Sequence, residues 1–144
     1  LEGFDSKVKL TPPLRSKKDI KALQKGVQDG VIDMITSDHN PIDIENKKLE
    51  FSLAKDGTIG LESLFSAVNS VLDIETTIKA LTVNPRTVFG QETHTIQKDS
   101  VANITLFNPE GNYILSTSKN SAFTGKELKG KVYGIYANKK LVIN

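Results

Sequence analysis

Val31-Ile32-Asp33-Met34-Ile35-Thr36-Ser37-Asp38-His39-Asn40-Pro41 is the stretch on which the reading of this chain turns. A short apolar run ends abruptly in a carboxylate, an imidazole, an amide and a proline. A buried strand that delivers Asp38 and His39 at its carboxyl end is the way an α/β barrel presents chemistry.

Working outward, Lys7-Val8-Lys9-Leu10 alternates like a strand and stops at Thr11-Pro12-Pro13, because proline cannot join a ladder. Ser16 has the character of an N-cap, with Asp19 three residues on, and Ile20, Leu23 and Val27 recur at helical spacing up to Gly30. Strand, helix and strand over 7–36 make a βαβ unit, which implies parallel pairing. Beyond the Asp38 loop, 47–54 reads as a short helix and Gly57-Thr58-Ile59-Gly60 as a loop. Leu61, Leu64, Phe65, Val68, Val71 and Leu72 form an apolar helical stripe that reads as core. A helix over 75–82 is broken at Asn84-Pro85. From about Thr95 short strands alternate with turns: Ala102, Ile104 and Leu106, a turn at 108–112, a strand at 113–115, and a hairpin of 132–137 with 141–143 around Asn138-Lys139. The expected boundary lies near residue 92, separating 1–92, an α/β piece, from 93–144, a small β piece.

The 144 residues carry a formal charge of +2, with acids and lysines interspersed, which gives no footprint for nucleic acid or a membrane surface. Without cysteine there is neither disulfide nor thiolate metal site, as expected of a cytoplasmic protein. No apolar run reaches the roughly 18 residues of a membrane span. The chain opens on Leu1 rather than Met, so its first residue is not read as a natural domain boundary.

Two histidines, His39 and His94, are the only imidazoles. Ser37, Asp38 and His39 cannot form a triad, since sequence neighbours do not converge on one atom from a strand end. A zinc site takes three or four donors, and Asp38 with His39 falls short of that. Asp38 alone reads either as a turn former bonding the amides after it or as a functional carboxylate. His39 reads more readily as a packing or supporting residue than as a ligand, and His94 as a solvated loop residue.

Several segments together resemble the dihydroorotases. Lys9-Leu10-Thr11-Pro12-Pro13-Leu14-Arg15 is similar to their K-V-N-P-P-L-R, the Ile32–Pro41 run to I-D-x-I-A-T-D-H-A-P, and Gly57-Thr58-Ile59-Gly60-Leu61-Glu62-Ser63 to G-I-V-G-L-E-T. Leu81–Pro85 and Glu127–Val132 also fit the C-terminal portion of that family. The resemblance implies the C-terminal part of an amidohydrolase: the end of a (β/α)8 metal-dependent hydrolase barrel, with 7–10 and 31–36 as its last two strands, and strands of a small flanking β-sandwich domain. It implies a zinc-dependent enzyme opening the cyclic amide of dihydroorotate in pyrimidine biosynthesis. Asp38 matches the aspartate that ligates one zinc and shuttles a proton in that reaction.

Other matched positions depart from the family pattern. Ile42 stands where a second histidine helps hold the substrate carboxylate, Thr11 replaces a substrate-contacting asparagine, and Asp56 replaces a phenylalanine before the retained Gly57. The family's other metal ligands come from barrel strands not found here, so this chain by itself is expected to bind no zinc and to be inactive. A different reading makes the parent a non-catalytic homologue, a structural partner of aspartate transcarbamoylase. Self-association into a homo-oligomer is a further expectation.

Overall fold

The computed structural model describes residues 4–93, 95–115 and 120–143; His94 lies outside them. Helix α1, Lys17–Gln28, begins at a complete capping box: the Ser16 hydroxyl accepts from the Asp19 amide while the Asp19 carboxylate takes the Ser16 N–H. Gly30, at φ +73, ends it. The amides of Val31 and Ile32 both turn back to the Gly26 carbonyl, at 2.8 and 3.0 Å.

The two segments expected as paired strands are not in a ladder. Residues 6–8 form a 3-10 turn capped by the Asp5 side chain, and 33–40 has no regular secondary structure. An apolar run becomes a strand only when neighbouring backbone completes its hydrogen bonds, and among the described residues no backbone hydrogen bond joins 7–10 to 31–36. The 31–36 segment docks instead on helical backbone.

That backbone is one continuous run. Helix α4, Ile74–Ile78, passes through a π-turn at Lys79–Val83 into α5, Asn84–Val88. Asn84-Pro85 does not break it, contrary to the sequence expectation. The Asn84 amide bonds to Lys79, five residues back, so in this register the next amide would serve Ala80. The next residue is Pro85, which has no N–H, and the free Ala80 carbonyl accepts from Ile35 at 3.2 Å. Asn84 adds a side-chain bond to the Asp33 carbonyl at 2.9 Å.

Helix α2 covers Ile44–Lys47, and 48–54 is turn rather than the helix expected at 47–54. Helix α3, Leu64–Asn69, is shorter than its apolar stripe: Val68 and Leu72 are buried, whereas Leu61 and Val71 are exposed.

Strands β1, Ile104–Ile114, β2, Glu127–Ala137, and β3, Lys140–Ile143, form an antiparallel sheet in that order. The expected turn at 108–112 is an irregularity inside β1, where the register with β2 jumps between Asn108 and Asn112. The β2–β3 hairpin turns at Asn138 and Lys139, both at positive φ, as a two-residue turn of right-handed strands requires.

Helix α3 packs on β2 through polar as well as apolar contacts. Ser66 donates to the Gly130 carbonyl at 2.6 Å, and the Asn69 amide reaches the Pro109 and Lys129 carbonyls. Phe65 meets Phe107 edge to face, 4.9 Å between centroids. Gly130, at φ +108, leaves room for this approach; a Cβ there would lie 2.8 Å from Phe65. No described helix is long and apolar enough to cross a membrane.

Candidate active site

Three segments far apart in sequence meet around Asp38. The 37–40 loop and the 57–60 loop lie against each other: the Asn40 amide bonds to the Thr58 carbonyl at 2.9 Å, and the amides of Gly60 and Leu61 both donate to His39 Nδ1, at 3.2 and 3.3 Å. An imidazole nitrogen that accepts is unprotonated, so the His39 proton sits on Nε2. His39 thus orders the neighbouring loop, in line with its reading as a supporting residue. The contact is close enough to demand glycine: a Cβ on Gly60 would lie 2.5 Å from the Ser37 carbonyl oxygen, and one on Gly57, at φ +135, 2.8 Å from that of Asn40.

The third segment, 6–11, is fastened to 44–57 by a reciprocal clasp of lysines. Lys47, only 2% exposed, donates from Nζ to the carbonyls of Ser6 at 2.9 Å and Lys9 at 3.0 Å. Lys9 Nζ in turn donates to Ser52 and Ala54, and the Gly57 amide bonds to the Lys9 carbonyl at 3.1 Å. Burial holds the Lys47 ammonium below its ordinary value, an effect opposed by the charge of Asp56. The clasp brings Thr11 to Asp56, and the hydroxyl donates to the carboxylate at 2.5 Å.

A cleft of about 210 Å³ opens between these segments, lined by Thr11, Asp38, Asp56 and Gly57 together with Ser37, Asn40, Thr58 and the 10–12 backbone turn. Four of the five residues singled out from the sequence therefore share one cleft. The fifth, Ile42, does not line it; its side chain packs behind Gly57. Asp38 sits at φ +42, in the left-handed region that few non-glycine residues adopt.

Sequence reasoning missed the residues that support the cleft from behind. Thr58 accepts the Ala122 amide at its hydroxyl, 3.1 Å, the Asn120 carbonyl takes the Ile59 amide at 3.0 Å, and the Asn120 side chain donates to the Ile42 carbonyl. Nothing local in the sequence ties Asn120 or Ala122 to residues 42 and 58. No group of three or more His, Cys, Asp or Glu donors occurs among the described residues.

No family model matches the chain. The curated dihydroorotase of Caldicellulosiruptor saccharolyticus is 36% identical over 152 aligned positions, covering 97% of this chain, and that of Geobacter metallireducens is 36% identical over 90% of it. Over nearly all of its length the chain is similar to curated dihydroorotases. It spans about a third of these relatives' length, 35% and 33%. Among solved structures, the L-hydantoinase (dihydropyrimidinase) of Arthrobacter aurescens superimposes with a TM-score of 0.81 at 23% identity, over 98% of this chain and 35% of its own. An inactive dihydroorotase-like domain of a Chaetomium thermophilum multifunctional protein superimposes at 0.60 with 22% identity, over 89% and 36%. At those identities the likeness establishes the fold, that of an amidohydrolase barrel end with its accompanying β strands.

Proposed function

We propose that this dihydroorotase-like chain is the C-terminal part of a cytoplasmic zinc-dependent hydrolase that opens cyclic amides of the dihydroorotate type, in pyrimidine synthesis. The convergence of Thr11, Asp38, Asp56 and Gly57 on one cleft carries this reading. In it, Asp38 is the acid-base group. Its carboxylate takes a proton from the water that attacks the ring carbonyl and hands it to the departing ring nitrogen. A C–O bond forms, the C–N bond breaks, and the ring opens to a carboxylate and a ureido nitrogen. Thr11, Asp56 and Gly57 face the ring, and Ile42 shapes the site through Gly57. Asp38 would be this chain's ligand to the zinc, which when bound would supply polarisation of the ring carbonyl and activation of the water. The small β piece starts near residue 93 and buttresses the cleft through Asn120 and Ala122.

The non-catalytic reading, a structural partner of aspartate transcarbamoylase, is not favoured by relatives named for an activity. The test uses the full-length protein loaded with zinc, following ring opening of dihydroorotate, dihydrouracil and hydantoin. At least one ring should open, and Asp38→Asn should lower kcat by about 100-fold or more. No turnover of any ring, or an Asp38→Asn protein of undiminished kcat, would overturn the proposal.

A further inference from the structure

We infer that Thr11 and Asp56 act as one specificity unit that admits an uncharged cyclic amide and disfavours a ring bearing a carboxylate. The inference rests on the cyclic-amide reading above and departs from it on one point, the ring carboxylate that dihydroorotate carries.

The two residues are 45 positions apart, yet Thr11 Oγ1 donates to Asp56 Oδ2 at 2.5 Å, and both line the cleft. With its proton committed to Asp56, the Thr11 hydroxyl offers the cleft only lone pairs, and the Asp56 carboxylate only accepts. No Arg, Lys or His is among the lining residues. The nearby ammonium groups are spent on backbone: Lys9 on Ser52 and Ala54, Lys47 on Ser6 and Lys9, the latter buried to 2% exposure. Two lining amides are spent as well, Gly57 N–H on Lys9 and Asn40 N–H on Thr58.

A ring carboxylate placed against this wall would face Asp56 with no counter-charge from these residues, and like charges brought together without solvent repel strongly. An uncharged ring presents only its own N–H and C=O groups there, and its N–H groups suit the paired acceptors Thr11 Oγ1 and Asp56. Ile42, packed behind Gly57, supplies no donor either. Discrimination of this kind works mainly by penalising the wrong partner.

The experiment compares kcat/KM of the zinc-loaded full-length protein on dihydrouracil and on dihydroorotate, the same ring without and with a carboxylate. Dihydrouracil should be preferred by about tenfold or more. Asp56→Asn removes the charge, keeps the size and leaves an acceptor for Thr11; it should shrink the preference about tenfold, chiefly through a lower KM for dihydroorotate. A wild-type preference for dihydroorotate, or an Asp56→Asn protein with an unchanged ratio, would overturn the inference while leaving the hydrolase reading standing. Turnover of neither ring, nor of hydantoin, would overturn the hydrolase reading itself, and the inference with it. Should Asp56→Asn fail to fold, as judged by circular dichroism, the wild-type ratio decides alone.

Discussion

His39 is the side chain whose position explains most about the cleft for the least chemistry. Its Nδ1 accepts two successive amides, those of Gly60 and Leu61, so the loop opposite Asp38 is ordered by this ring. Replacing it by alanine leaves two donors without that acceptor. His39→Ala in the full-length protein should lose about 1–2 kcal/mol of stability, measured by denaturant unfolding. Lys47 leads to a different kind of expectation. Its value in the folded chain lies below the ordinary lysine value of 10.5 because burial disfavours the ammonium, with Asp56 and Asp5 opposing and Lys9 reinforcing the shift. Between the lowered value and 10.5 the unfolded chain holds more protons than the folded one, so stability rises with pH across that window. A neutral amine still carries two protons, one for each carbonyl it now serves. Unfolding curves at successive pH values should show this alkaline gain in the wild type and its loss in Lys47→Met.

At the scale of elements, the π-turn between α4 and α5 holds the segment that leads to Asp38. Pro85 leaves the Ala80 carbonyl to Ile35, and Pro85→Ala would give that carbonyl a competing partner inside the helix. The Ile35 amide should then exchange with solvent measurably faster, as read by hydrogen exchange, with the α1 amides unaffected. This element also marks how far the sequence could be read. Helix α1 was legible to its caps, because Ser16, Asp19 and Gly30 act within a few residues of where they stand. The β2–β3 hairpin was legible for the same reason. Asn84-Pro85 misled, since proline's helix-breaking rule presumes the α register and the π register evades it. The strands expected at 7–10 and 31–36 misled because a ladder depends on partners, and an apolar run does not say whether they are present. In the site, Asp38 and Gly57 were readable from local pattern. The Thr11–Asp56 bond was not, as nothing in either segment signals a partner 45 residues away.

Taken whole, the chain buries little apolar surface for its length. Val68, Leu72, Ala80, Leu115 and Leu128 are enclosed, but Ile20 and Leu23 on α1, Val31, and Phe89 beyond α5 stay exposed. Faces of this kind suit a piece that packs against more of the same protein, in keeping with relatives about three times as long. The sheet carries the same lesson further. It has three strands, and β1 and β3 are both margins, with Leu141, Val142 and Ile143 of β3 all more than half exposed. Among the described residues neither margin has a further strand beside it, so one copy has two places at which another strand can add. A unit with a single such place stops at a pair; a unit with two keeps growing. Light scattering from the 144-residue chain alone should climb steadily with concentration instead of levelling at a dimer, and the full-length protein should show no such climb. Lys139 in the turn and Lys140 at the start of β3 place charge at that margin, and neutralising both should steepen the climb in scattering toward fibre.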